Sequence, residues 1–181
     1  SSDVCSSDLG ATSGIGEACA RKFAHEGYSV IITGRREERL DSLKTELEKD
    51  GVSVLPLCFD VCDRAQAKKI LDSLPDEWQN IDVLINNAGL ARGLEPEYDG
   101  DFTDWDEMID TNIKGLLNIT RYIVPKMVKV NHGHVINIGS VAGDAAYAGG
   151  GVYCATKAAV KSISDGLRID VAHTKVRVTN I

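Results

Sequence analysis

The sequence contains no uninterrupted apolar run of roughly 18 residues, so no stretch of it reads as a membrane-crossing helix. It also has no internal repeat and no low-complexity linker, and one domain is expected. Positive charge is in deficit, with 20 Lys and Arg against 27 Asp and Glu and a net charge of −7. That balance gives no electrostatic reason to bind nucleic acid or an anionic membrane, and neither is expected as a partner. The five cysteines, Cys5, Cys19, Cys58, Cys62 and Cys154, are scattered and odd in number. They argue against a disulfide framework and for reduced thiols in a cytoplasmic protein. Cys58 and Cys62 stand four apart, but no His or Cys pair at zinc-ligand spacing accompanies them, and no metal site is expected. His25, His132, His134 and His173 form no constellation and read as surface or turn residues.

The 181 residues suffice for one domain with a sizeable core, and 43% apolar with 26% charged residues is ordinary for a globular chain. From Gly10 onward helical and strand patterns alternate. Spacing of the apolar positions predicts helices over 14–26, 36–49, 63–74, 103–130 and 153–172. Short β-branched runs predict strands over 28–33, 52–59, 81–85, 134–138 and 175–181, with a polar loop over 90–101. Strands joined by helical connections give right-handed βαβ units, hence an α/β fold with a doubly wound, Rossmann-type parallel sheet and helices on both faces. The helix over 103–130 is apolar on more than one face, at Ile109, Ile113, Leu116, Leu117, Ile123 and Val124. Covering by the sheet and by a partner subunit is expected, and Pro125 should bend or break it.

Both ends read as truncated. Residues 1–9 lack the basic start and apolar middle of a signal peptide and resemble the translation of a sequencing-library adapter. They are expected to be non-native, with 10–181 forming the native domain less its C-terminal part. On that reading the strand that should precede Gly10 is missing, and Leu9 stands where such a turn usually has Thr.

Gly10-x-x-x-Gly14-x-Gly16, with Thr12, Ser13 and Ile15 between, is a glycine turn leading into a helix. Glycines let backbone approach a pyrophosphate, and the free N–H groups at the helix start favour its charge, although an ordinary tight turn would also look like this. At the end of the next strand an NAD site wants Asp or Glu for the ribose 2′-OH. Here stand Thr33-Gly34-Arg35-Arg36, and paired guanidiniums suit a 2′-phosphate instead, the alternative being the start of a solvated helix face. Tyr153 and Lys157 lie at i and i+4 on one helix face, where an ammonium stabilises a phenolate that can exchange a proton with an alcohol. Ser140, at a strand end, reads either as a hydroxyl for the substrate oxygen or as a turn cap. Asn112 inside a helix reads as a residue with a bonding task or as a local defect.

Together, Gly10-x-x-x-Gly14-x-Gly16, Asn86-Asn87-Ala88-Gly89, Asn112, Ser140 and Tyr153-x-x-x-Lys157 resemble the short-chain dehydrogenase/reductase signature, over Gly10 to Ile181. The resemblance implies Tyr153 as acid/base, Lys157 supporting it and bonding the nicotinamide ribose, and Ser140 orienting the substrate carbonyl. It implies Asn112 holding a water that links Lys157 to solvent, Asn87, Ala88 and Gly89 lining the cofactor, and Asp60-Val61 flanking its adenine. Thr33-Gly34-Arg35-Arg36-x-Glu38-Arg39-Leu40, Gly93-Leu94-Glu95-Pro96 and Met108-Ile109-Asp110-Thr111-Asn112 are similar to one branch, the NADP-dependent 3-hydroxy acid dehydrogenases. That similarity implies NADP as cofactor and a homotetramer. It also implies a small hydroxy acid or carbonyl substrate: serine, allo-threonine, or 3-hydroxypropionate and malonic semialdehyde.

Overall fold

The computed structural model describes residues 6–12 and 14–181, with side chains described from Gly10 onward. Ser13, one of the expected cofactor contacts, lies outside the described residues. The elements run β1 (Ser6–Leu9), α1 (Gly14–His25), β2 (Val30–Gly34), α2 (Glu37–Leu47), β3 (Val54–Cys58), α3 (Arg64–Asp72), β4 (Val83–Asn86), α4 (Phe102–Ile109), α5 (Leu116–Val130), β5 (Gly133–Asn137), α6 (Gly151–Asp170) and β6 (Val176–Asn180). The six strands form one parallel sheet in the order β3-β2-β1-β4-β5-β6. The doubly wound expectation therefore holds, and the boundaries differ from the sequence reading by a few residues, as helix and strand ends commonly do.

Alternation along the strands sorts the core into two layers. Val30, Ile32 and Val54 face Ala20 and Ala24 of α1 and Leu40, Leu43 and Leu47 of α2. Ile31, Leu84, Val135, Val176 and Val178 face the opposite way, onto Ala67 and Leu71 of α3 and Ile119, Ile123 and Met127 of α5. Each of the Val, Leu, Ile and Met side chains, fully buried, contributes about 1.5–3 kcal/mol. Helix starts follow from caps: Asp63 accepts from the Gln66 amide at 2.9 Å, and Asp101 from the Thr103 amide at 2.6 Å.

Two expectations need correction. The opening strand is not absent: the Ser6–Leu9 backbone forms β1 in the middle of the sheet, paired with β2 from Ser6↔Val30 and with β4 from Ser6↔Val83. A parallel ladder uses amide and carbonyl groups that every residue carries, and β2 and β4 each offer an edge that needs partners. Pro125 does not break its helix, for α5 continues to Val130 and ends at Asn131 in left-handed conformation (φ 54°). Pro125 is exposed, on the solvent side of the helix, where a missing backbone donor is least costly. The irregularity sits earlier, where Asp110–Gly115 forms a π segment between α4 and α5. Asn112 lies in it, so its two sequence readings, defect and bonding task, coincide. A smaller difference concerns His134, which is half-buried on β5 with Nε2 2.8 Å from Thr179 Oγ1.

A polar relay locks the C-terminal ends of the central strands. Asn86 Nδ2 donates to Thr120 of α5 at 3.1 Å and to Asn137 Oδ1 of β5 at 2.8 Å. Asn137 Nδ2 in turn donates to Ser164 of α6 at 2.8 Å. Residues just beyond β4 and β5 thus leave the sheet from fixed points.

Candidate active site

The strand order reverses between β1 and β4, and a cleft opens over the carboxyl ends of the strands there, as the doubly wound topology requires. Its volume is about 750 Å³. At one end the wall is the turn between β1 and α1, with Gly10, Thr12, Gly14 and Ile15. Gly10 has φ +86°, and a Cβ there would sit 3.2 Å from Asn87 Nδ2, so a side chain would meet both backbone strain and a neighbour. α1 starts at this end of the cleft, and the first N–H groups of a helix have no partner within it. Gly16 is buried behind the wall and does not line it.

Arg35 and Arg36 leave β2 on the same side. Arg36 Nη2 donates to Thr12 Oγ1 at 2.8 Å and to the Thr12 carbonyl at 3.3 Å, and Arg39 Nη1 reaches that carbonyl at 3.5 Å. Arg35 Nη1 lies 3.6 Å from Asp60 Oδ2, while Asp60 Oδ1 accepts from the Cys62 amide at 2.9 Å. No carboxylate stands at 33–36 to meet a ribose 2′-OH, and the guanidiniums there fit a phosphate. Val61 completes this wall, its carbonyl accepting from Asn118 Nδ2 at 2.9 Å.

At the other end Asn87, Ala88 and Gly89 follow β4, Ser140 follows β5, and Tyr153 and Lys157 project from the first turns of α6. Ser140 Oγ accepts from the Ala142 amide at 3.1 Å, capping a short 3-10 turn. The turn-cap reading of that serine is therefore observed, and capping uses a lone pair, which does not by itself consume the hydroxyl proton. The turn is seated hard against α6: a Cβ on Gly143 would lie 2.9 Å from the Lys157 backbone carbonyl. Lys157 is 7% exposed, its Nζ donates to the Ile138 carbonyl at 2.9 Å, and it stands 5.9 Å from the Tyr153 ring centroid. Burial pushes its ammonium below the usual lysine range.

Asn112 is 2% exposed and does not line the cleft. Its Oδ1 accepts from the Leu90 amide at 2.8 Å, and its Nδ2 donates to the Leu90 carbonyl at 2.9 Å and to Thr156 Oγ1 at 3.0 Å. Asn112 Oδ1 and Lys157 Nζ each come within 3.4 Å of where a Cβ on Gly89 would sit, so the two groups flank that glycine. Sequence reasoning missed Phe59, Thr111, Ile138 and Gly139, which also line the cleft. Most of them stand at or just past a strand's C-terminal end, and the rule that ligands bind outside those ends was the signal that would have found them.

A doubly wound parallel sheet whose switch-point cleft joins a glycine turn to a Ser, Tyr and Lys set defines a class, and over residues 9–181 the chain belongs to the short chain dehydrogenase family. Among its relatives, the NADP-dependent 3-hydroxy acid dehydrogenase YdfG of Escherichia coli (strain K12) is 55% identical over 172 residues, 95% of this chain and 68% of that protein. Sulfoacetaldehyde reductase 2 of Chromohalobacter salexigens is 46% identical over 173 residues, again 95% of this chain and 68% of that protein. The closed form of serine dehydrogenase complexed with NADP+ superposes with a TM-score of 0.94 at 51% identity, covering 98% of this chain and 70% of that one. No helix among the described residues is long and apolar enough to cross a membrane.

Proposed function

We propose that this protein is an NADP-dependent dehydrogenase that moves a hydride between NADP(H) and the hydroxyl or carbonyl of a small 3-hydroxy acid. Serine, allo-threonine and the 3-hydroxypropionate/malonic semialdehyde pair are its substrate class. The observation that carries this reading is one cleft lined by Arg35 and Arg36 at one end and by Ser140, Tyr153 and Lys157 at the other. The similarity to a 3-hydroxy acid dehydrogenase supports the substrate class. Similarity to a sulfoacetaldehyde reductase supports the narrower point that an anionic carbonyl compound is the thing turned over.

In the oxidative direction, Ser140 donates its free hydroxyl proton to the substrate oxygen and fixes the alcohol opposite Tyr153. Tyr153, as phenolate, takes the alcohol proton on Oη while the carbon–oxygen double bond forms. Lys157, held by the Ile138 carbonyl, places positive charge beside the ring and stabilises the phenolate. A bound NADP+ would supply the acceptor for the hydride and both of its electrons. Gly10, Thr12, Gly14 and Ile15 with Gly16 behind them would hold the pyrophosphate, Asp60 and Val61 the adenine, and Asn87, Ala88 and Gly89 the nicotinamide half. Asn112 acts from behind, by fixing Leu90 beside Gly89.

We assign the protein to the cytoplasm and to a homotetramer. The thiols of Cys58, Cys62 and Cys154, none of them in a disulfide, support the first, and Ile109 and Leu117, 37% and 42% exposed along α4 and α5, support a subunit contact. The deciding experiment measures reduction of NADP+ and NAD+ with L-serine, L-allo-threonine, 3-hydroxypropionate and a plain secondary alcohol. Turnover of the acids with NADP+ is expected. Equal use of both cofactors, or turnover of the plain alcohol alone, contradicts the reading.

A further inference from the structure

We propose that Thr156, through its hydroxyl, positions the Tyr153–Lys157 pair; the inference rests on the acid/base reading given above. Thr156 is 1% exposed and lies on α6 between the two residues, yet it does not line the cleft. Its single hydroxyl proton goes to the Tyr153 carbonyl at 2.7 Å. The oxygen accepts from Asn112 Nδ2 at 3.0 Å. Asn112 also grips Leu90 through both its amide atoms, at 2.8 and 2.9 Å.

The result is a chain with one direction, Leu90 to Asn112 to Thr156 to Tyr153. Leu90 N–H can only donate, so it fixes which amide atom of Asn112 is oxygen. That choice presents N–H to Thr156, and Thr156 must then spend its own proton on the Tyr153 carbonyl. A hydroxyl bonded back to a carbonyl of the preceding turn bends a helix locally. Here the affected turn is the one that carries Tyr153 at its start and Lys157 just past its end. The π segment is what lets Asn112 reach α6 and the loop after Gly89 together. Valine has nearly the same shape as threonine but neither donates nor accepts; serine keeps both capacities.

The test compares Thr156→Val, Thr156→Ser and Tyr153→Phe in the purified protein, with NADP+ and the 3-hydroxy acid that it turns over. Thr156→Val is expected to lower kcat by about 10- to 100-fold, because small misplacements of reacting groups cost that much, with KM for NADP+ within about twofold of wild type. The ionising limb of its kcat–pH profile should move, and Thr156→Ser should restore both kcat and the profile. Wild-type kcat and profile in Thr156→Val overturn the proposal. So does an equal loss in the serine and valine variants, which would indicate packing alone. If Thr156→Val does not fold, Thr156→Ala is read by the same criteria. Turnover surviving in Tyr153→Phe, or absent from the wild type, brings down the functional reading and this inference with it. A dead Tyr153→Phe beside an unaffected Thr156→Val removes only the role of Thr156.

Discussion

Replacing Arg36 by alanine separates the two halves of nucleotide recognition. In the structure this guanidinium is tied to Thr12 by a 2.8 Å bond to the hydroxyl and a 3.3 Å bond to the carbonyl. On the proposed reading, a bound 2′-phosphate would be held by that group together with Arg35, which lines the same cleft. A hydrogen bond to a charged partner contributes about 1.5–3 kcal/mol, and Arg36 is exposed to solvent, which screens it towards the lower end. About 1.5 kcal/mol corresponds to roughly tenfold in affinity. NADPH binding, followed by the change in nucleotide fluorescence, should therefore weaken by about tenfold in Arg36→Ala, while NADH binding changes by less than about twofold. The NADPH loss should shrink as salt is raised, because the wild-type advantage is electrostatic. Equal weakening of both nucleotides would refute the reasoning: Arg36 would then be acting only as a brace for Thr12.

Other perturbations probe the opposite end of the cleft. Tyr153→Phe should lower kcat by at least about 100-fold while leaving NADPH affinity near wild type, measured by the same fluorescence titration and by initial rates. Gly143→Ala should destabilise the protein by about 1–3 kcal/mol in urea unfolding, since the new Cβ would press on Lys157 backbone 2.9 Å away, and kcat should fall as Ser140 is pushed from Tyr153. Lys157→Met should unfold at a higher temperature than wild type near neutral pH, although turnover is lost. Burial lowers the folded lysine's affinity for its proton, so between that lowered folded value and about 10.4 the unfolded chain binds more protons and wild-type stability rises with pH. The difference in Tm should accordingly shrink as pH approaches that value, and a constant difference would count against a desolvated ammonium.

The parts of this site that the sequence displayed are those where a backbone or an ionisation demand restricts residue choice. Gly10 needs a positive φ, Arg35 and Arg36 replace a carboxylate, and Tyr153 and Lys157 share a helix face by spacing alone. Hidden parts depend on partners distant in the chain. Ser6–Leu9 has no strand signature and becomes β1 because β2 and β4 stand on either side. The π segment at Asp110–Gly115 cannot be read from periodicity, which shows only an apolar helix. Thr156 carries no signal at all in sequence, since its meaning comes from Asn112, 44 residues away. Ser140 was legible as a turn cap, and the structure shows its hydroxyl oxygen accepting from the Ala142 amide at the edge of the cleft.

The central claim is direct hydride transfer between a 3-hydroxy acid and NADP(H) inside this one cleft. Incubating the protein with NADP+ and L-serine deuterated at its hydroxyl-bearing carbon, then weighing the reduced nucleotide by mass spectrometry, tests it most directly. Transfer predicts that the NADPH formed carries one deuterium from the serine even in ordinary water. NADPH that forms without deuterium, or a nucleotide that stays oxidised while serine remains intact, would contradict the account.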